Sequence, residues 1–528
     1  MKVKERKTLG EWTPGIFSVL APENLQDAKN CLPKTGGYEP MPGLSNINSE
    51  VLPFAPNGAI RAINDDGTNA FFAALEDTTN NNMELYQFKP TDIGGGVIED
   101  RWVDVSKAAG YLSVLARRVE FSQFGTTIIA ASYTNDTQFL DMTRDPTFVD
   151  ASPTTPRASH VTTAENFLWL GDIYSRDAGS QRNAVQWSAI ADPGNFPIPG
   201  TDAATAVLSG RQVFEGGGGN VQAVVSGSEV VAIFQETAIW RADFVGGDVV
   251  WDINNVEENV GLLIKGAAVA FGRHIFFIAE DGFRIFDYTT SKNIGKDRVN
   301  DWFFDNYDVD FPDSVSIARD PKKTQIRMSF AGPGDAGVPS KFIVYDWDLD
   351  RFTYGEETVY SMIGAGITPA SLDSADIAGD QDVLEDDIGD GADLDYGILS
   401  FDDRQSGTGL RVIGGFDSLF RLSRFSGTAL SAVLETGDLE LSPGRHSLLS
   451  GLKAGIRGTD VTCQVAPVYE FENEEPTELD FGLEVHREKN GLFPFRIEAA
   501  RHRIRFNCGK QWSEAAFYDP QFRPSGQR

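Results

Sequence analysis

An apolar strand, a short polar turn and a second strand ending in an aromatic or acidic residue recur along most of this chain. That recurrence limits the fold more than any bulk property does. The cleanest copy is GRHIFFIAEDGFRIFDY, residues 272–288, two patterned strands either side of a Glu-Asp-Gly turn. GTNAFFAALEDTTNNNMELYQFKP sets Phe71 and Phe72 before an Asn/Thr loop and Leu85, Tyr86 and Phe88 after it. RRVEFSQFGTTIIAASYTNDTQFLDM does the same around Tyr133, and NVQAVVSGSEVVAIFQETAIWRADF runs from Val230 to Phe234, turns at Gln-Glu-Thr, and continues through Ile239, Trp240 and Phe244. SIARDPKKTQIRMSFAGPGDAGVPSKFIVYDWDLDRFTY reads as three strands closing on Phe352 and Tyr354; RVIGGFDSLFRLSRF is one more copy, and SHVTTAENFLWLGDIY with NAVQWSAI is an eroded one. Alternation, β-branched and aromatic enrichment and Gly/Asn/Asp turns are the marks of half-buried antiparallel strands. The copies start near residues 58, 118, 158, 222, 267, 315 and 411, mostly ~40–60 residues apart, which is the range of a four-stranded propeller blade with loop insertions. Residues 56–430 are therefore expected to form a β-propeller-like domain. A large β-sandwich, or two, would show the same strands without the repeat.

Two regions fall outside the repeat. Residues 1–55 hold LGEWTPGIFSV and CLPKTGGYEPMPGL, rich in Pro, Gly and aromatics but without a long period, and read as an extended arm lying along another surface. From residue 431 to 528 the strands lengthen, in ALSAVLETGDLEL, TDVTCQVAPVYEF, LDFGLEVHRE and PFRIEAARHRIRFN, with Gly and Pro turns between them, as in a compact β-sandwich. A short helix is expected near KDRVNDWFFDNY, where Val299, Trp302 and Phe303 share a face. The expected fold class is all-β.

Composition bears on partners. With 41% hydrophobic residues and 36 Phe in 528 positions the chain can build a large core, so a net charge of −31 marks an acidic folded protein and not a disordered one. Seventy-seven carboxylates against 46 basic groups argue against ordinary nucleic-acid binding, which depends on Lys and Arg displacing counterions. The same balance suits a surface past which DNA slides without sticking, and also serves simple solubility. Cys31, Cys463 and Cys508 form neither a CxxC pair nor a zinc-spaced cluster, so no disulfide framework or structural zinc is expected. MKVKERKTLGEWTPG has the charge of a signal peptide without its apolar core, and no run approaches the ~18–20 apolar residues that span a bilayer. The expectation is a protein made in a cytoplasm and not carried into or through a membrane by its own sequence.

A search for chemistry returns structural readings. There is no G-x-S-x-G elbow, H-E-x-x-H or Walker loop, and His160, His274, His446, His486 and His502 stand singly. Gly332, Gly334 and Gly337 make a G-x-G-x-x-G, but a strand and not a helix follows, which points to a hairpin loop. Asp380, Asp382, Glu385, Asp386, Asp387, Asp390, Asp393 and Asp395 crowd one stretch, yet Ile388 stands where a calcium loop needs its second ligand. Asp346, Asp348 and Asp350 fit turn chemistry, and EGGGGN at 215–220 a flexible loop. No catalytic residue, cofactor-binding residue or metal ligand is assigned, and no cofactor is expected.

The order of LGEWTPG…AKNCLPKTGGYEPMPGL, VQWSAIADPGNF at 185–196, FFIAEDGFRIFDYTTSKNIGKDRVNDWFF at 276–304 and ARHRIRF…W at 500–512 resembles the layout of bacteriophage tail nozzle or hub proteins of short-tailed phages, a group that includes packaged-DNA stabilisation proteins. The resemblance spans nearly the whole chain. It implies a structural virion protein and not an enzyme: a homohexameric ring of the head-tail connector, assembled in the host cytoplasm, attached to an adaptor or portal-side protein and to tail fibres or spikes. Its channel would retain packaged double-stranded DNA without specific binding and later permit ejection. Closure would need a loop constriction, for which the Gly-rich and Asp-rich loops are candidates. The competing expectation is a glycan-binding or glycan-degrading β-propeller tail component, and a third is a host scaffold protein.

Overall fold

In the computed structural model the chain is all-β. It describes residues 3–526 apart from 5, 17, 66, 78, 96, 113–117, 228–229, 248, 365–412 and 469–478. Hairpin follows hairpin, and the described residues build seven four-stranded antiparallel blades. Their innermost strands are Pro56–Ile63, Glu120–Phe124, Arg157–Ala164, Val221–Ser226, Ala268–Phe271, Ser316–Arg319 and Tyr360–Ile363. Each packs on the next, and the seventh returns to the first, closing the ring of a propeller.

Six of the seven expected repeat starts fall at an innermost strand. The seventh does not: the start near 411 precedes Gly414–Phe416, the second strand of blade 7, whose first strand lies before residues 365–412. A long insertion inside a blade separates strands that the hairpin template assumes are adjacent. The Asp-rich stretch 380–395 lies outside the described residues.

The copy at 272–288 is the middle of blade 5. Ile275 faces Phe286 and Ala279 faces Gly282 across the turn. Behind it the helix Asn300–Asn306, at the expected place, buries Phe303 and pins the turn: Asn300 Nδ2 donates to Asp281 O at 2.7 Å, and the Phe283 N–H donates to Asn300 Oδ1 at 3.2 Å. Gly282 has φ +109, and a Cβ there would fall 2.1 Å from the Asn300 amide, so both its conformation and its contact require glycine.

The N-terminal segment is extended, and its strands belong to both modules. Pro42–Asn46 is the fourth strand of blade 7, paired to Leu422–Ala429, so the ring is closed by the two ends of the propeller sequence. Leu25–Lys29 sits between the outermost strand of blade 6, Arg351–Glu356, and the sandwich strand Ala432–Thr436. One nine-stranded sheet therefore runs from blade 6 into the C-terminal sandwich. Facing it, a seven-stranded sheet combines Cys31–Lys34 and Gly37–Pro40 with His446–Gly458, Leu492–Ala499 and Trp512–Ser525. The stretch PFRIEAARHRIRFN is not one strand but two, Leu492–Ala499 and Arg501–Cys508, and they lie in different sheets.

The sandwich and blades 5 and 6 share a single core. Trp12, Phe276, Phe283, Phe303 and Phe330 belong to the same buried cluster as Leu449, Phe493, Phe506 and Tyr518. Each such side chain contributes ~1.5–3 kcal/mol by leaving water. Trp12 is the rivet: fully buried, it lies 4.9 Å edge-on from Trp302 and 5.1 Å from Tyr354, and its Nε1–H donates to Gln26 O at 3.2 Å.

Candidate functional site

The starts of the innermost strands converge on the propeller axis and wall a cavity of about 690 Å³. Such a volume suits a small molecule. Blades 1, 6 and 7 supply Asn57, Ser316 and Ser361, and blade 2 supplies Arg118 and Glu120. Glu76, Asp310 and Asp313 add carboxylates, and Phe311, Tyr360 and Phe420 add aromatic rings.

Its floor is cross-linked. Arg118 Nη1 donates to Val315 O at 3.2 Å and Gly266 O at 3.4 Å, reaching from blade 2 to the segments that enter blades 6 and 5. Gly266, at φ +66, leaves room for this: a Cβ there would come within 2.8 Å of Glu120 Oε1 and 3.2 Å of Arg118 Nη1. Glu120 Oε1 lies 2.9 Å from Nδ1 of buried His160, and the Val161 N–H donates to Oε2 at 3.3 Å. Burial by itself would raise the Glu120 carboxyl; His160, Arg118 and that N–H outweigh it and hold it below the usual range. An ionised carboxylate only accepts, so the proton between them sits on Nδ1.

A second charged knot lies beside it. Asp172, fully buried at φ +54, accepts from Arg182 Nε at 2.7 Å and Nη2 at 2.8 Å, from Lys265 Nζ at 2.9 Å and from Ser159 Oγ at 2.6 Å. Burial again pushes the carboxyl up, and Arg182, Lys265 and Ser159 bring it below its ordinary value. Lys265 precedes Gly266, so blade 3 is tied to the strand entry of blade 5. Elsewhere Ser361 Oγ donates to Pro56 O at 3.0 Å, the Met362 N–H to Ser316 Oγ at 2.7 Å, and Ser122 and Thr163 hydroxyls meet at 2.9 Å. These polar groups are latches between blades.

The single histidines scatter as the sequence reading has them. His160 is at the axis; His274, exposed, stacks on Phe271 at 5.5 Å; His446 and His486 lie on the sandwich; buried His502 faces Ser447 Oγ at 2.9 Å. Burial lowers His502 to about 4. Gly334 and Gly337 take positive φ in the loop between Gln325–Phe330 and Lys341–Asp346. Asp346 Oδ1 accepts from the N–H groups of Asp348 and Leu349, a turn role. Cys31, Cys463 and Cys508 are free and buried in one core. Among the described residues no three His, Cys, Asp or Glu side chains gather as a metal site, and no helix is long and apolar enough to cross a membrane.

Sequence reasoning missed Glu120, Asp172 and Arg327. Asp172 and Arg327 had a signal: each is a charge inside an apolar run, FLWLGDIY and QIRMSF. Arg327, 1% exposed, has its guanidinium 4.2 Å from the Phe425 ring centroid, and its Nε and Nη1 have no hydrogen-bond partner; burial lowers it to about 10.

No protein-family model matches the chain, and no curated protein matches it. Among solved structures it is similar to PorZ, a surface component of the type-IX secretion system of Porphyromonas gingivalis (9% identity, 63% of this chain and 36% of that one, TM-score 0.34). It is also similar to AztD of Citrobacter koseri (11%, 60% and 75%, TM-score 0.28) and to an exo-β-1,3-galactanase of Phanerochaete chrysosporium (9%, 88% and 96%, TM-score 0.23). At that level of overlap the propeller assignment rests on the sheet topology. The class defined is a seven-bladed β-propeller welded to a β-sandwich.

Proposed function

We propose that this chain is a structural virion protein, one subunit of a phage tail nozzle or hub ring that retains packaged DNA and lets it leave. The observation that carries the reading is the weld: a nine-stranded sheet and one core join propeller and sandwich without a linker. A conduit under genome pressure needs wedges that do not hinge, and domains joined through a large apolar interface move as one. The stretches behind the family resemblance serve this weld. Leu9, Trp12, Cys31, Leu32, Tyr38 and Met41 are all buried, and Tyr38 Oη donates to Gly10 O at 2.6 Å.

In this reading the conduit lies between copies and not through one. Duplex DNA carries a phosphate charge per ~1.7 Å of axis, so a lumen of Asp and Glu repels it and keeps it mobile. The partners are then further copies of this chain, an adaptor or portal-side ring, and fibres or spikes, with no catalytic step required of it. Mass photometry of the purified protein, with and without duplex DNA at low salt, tests the reading. Closed oligomers that do not retain short DNA support it; a monomer at all concentrations, or tight salt-dependent DNA binding, rejects it.

A further inference from the structure

The seven-stranded sheet of the sandwich turns one face to the core and the other outward. Leu449, Leu452, Phe493 and Phe522 point into the shared core, so the side chains that alternate with them point out. Those include Lys453, Arg457, Arg496 and Arg523, all exposed, Arg457 at 80%. Arg6, 63% exposed, lies 3.8 Å from the Phe517 ring centroid on the same face. The carboxylates here are already engaged: Asp519 accepts from Arg6 at 3.1 Å, Glu514 lies 3.5 Å from Arg457 and 3.7 Å from Lys34, and Glu498 accepts from Ser525 Oγ at 2.6 Å. Among the described residues no ion pair engages Lys453, Arg496 or Arg523. The charge balance shifts with the module: residues 47–430 carry 57 carboxylates against 28 basic groups, residues 431–528 only 15 against 12.

The opposite arrangement occurs where blade 5 passes to blade 6. DWFFDNYDVDFPD, residues 301–313, holds five carboxylates and no basic group. The helix Asn300–Asn306 buries Phe303 and leaves Asp301 and Asp305 exposed, four residues apart. Like charges at that spacing repel, and Asp305 in the last turn also opposes the helix dipole, so local structure alone disfavours them. Neither is in an ion pair among the described residues. Val309 and Phe311 follow, 72% and 40% exposed, two apolar side chains set among Asp308, Asp310 and Asp313. Both surfaces ride on the welded unit, since Phe303 belongs to the buried cluster that holds Leu452 and Phe522.

We propose that the outer sheet face seats the Asp301–Asp313 segment of a second copy. This rests on the reading of the chain as a ring subunit and names the contact that builds the ring. A chain of net −31 repels its own copies, so self-association needs a surface where the sign reverses. The sheet face supplies it, and half-buried Leu448 and exposed Pro494 among its cations offer Val309 and Phe311 apolar surface. Two unlike patches on one rigid body make a heterologous contact, which generates a ring when its rotation closes. Glu498, Glu514 and Asp519, interspersed with the cations, suit a protein surface better than a phosphate backbone.

Mass photometry and sedimentation of the full chain in a salt series test the contact. The parent protein is expected to assemble and to dissociate as salt rises, since exposed charges are screened. Arg496→Glu with Arg523→Glu should raise the dissociation constant for self-association at least tenfold without moving the melting temperature, because like charges then face each other. Asp305→Lys with Asp310→Lys should do the same, and all four substitutions in one chain should restore assembly. If the parent assembles but neither pair of substitutions weakens it, or the combination fails to restore it, the proposal is overturned and the ring reading stands. A parent that stays monomeric overturns both. Binding of duplex DNA or of anionic vesicles that is lost in Arg496→Glu/Arg523→Glu, with self-association unaltered, gives the face to another partner and also overturns the proposal.

Discussion

The propeller axis and the propeller–sandwich weld hold their parts together by opposite means. Near the axis the contacts between blades are polar and paired: Glu120 with His160, Asp172 with Lys265, hydroxyls with backbone groups. At the weld they are aromatic and aliphatic, gathered around Trp12 from strands far apart in sequence. Paired polar groups fix relative position but add little net stability, whereas apolar burial is the main source of free energy. The axis therefore sets the geometry of the blades, and the weld supplies cohesion between modules.

Removing residues 1–46 breaks the comparison most severely. It takes the fourth strand of blade 7, the bridging strand Leu25–Lys29 and four strands of the seven-stranded sheet. The expected result is insoluble protein, or loss of cooperative unfolding by circular dichroism.

Trp12→Ala should cost ~3–5 kcal/mol by denaturant titration, with both modules unfolding together. Asp172→Ala should cost about 3 kcal/mol, at the low end for a broken buried ion pair because Arg182 and Lys265 are 34% and 38% exposed and partly hydrated. If the axial change costs more than the weld change, the division of labour is wrong.

Acid titration sharpens the contrast within the weld. Burial raises Asp27, which accepts from Tyr354 Oη at 2.8 Å, to about 6, while burial lowers His502 to about 4. Asp27 keeps its proton longer when folded, so its contribution is full below pH 3.8 and is lost as pH rises through about 6. His502 takes its proton later when folded, so its contribution is full above pH 6.5 and is lost as pH falls toward 4. The two slopes oppose each other between pH 4 and 6. Relative to the parent protein, Asp27→Asn should make stability rise more steeply with pH there, by about 2 kcal/mol across the window, and His502→Phe should flatten or invert the rise. Identical slopes in both variants would contradict the assignment.

The smallest effect has the opposite sign. Arg327→Met replaces a buried guanidinium whose Nε and Nη1 find no partner among the described residues by an apolar side chain of similar length against Phe425, and should be neutral or stabilising by about 1 kcal/mol in thermal unfolding. Loss of several kcal/mol would mean that the guanidinium is paired in solution.

Hairpins were legible because both strands and the turn lie within ~20 residues, where alternation and turn chemistry act locally. Blade 7 was not, since its first strand is separated from its second by residues 365–412 and its fourth comes from Pro42–Asn46. The weld was illegible for the same reason: the pairing of Lys29 with Tyr354 and of Ala28 with Leu434 spans hundreds of residues. Asp172 and Arg327 betrayed themselves as charges in apolar runs, but the partners of Asp172 did not. Lys265 and Arg182 read as ordinary surface cations until the fold brings them to one carboxylate.

The central claim is that rigid copies of this chain surround a conduit. Electron cryomicroscopy of the purified full-length protein tests it most directly. The account predicts closed rings, six-fold by the family resemblance, with a central hole wide enough for duplex DNA and lined mainly by Asp and Glu. Isolated particles without rings, or a lumen lined mainly by Lys and Arg, would contradict it.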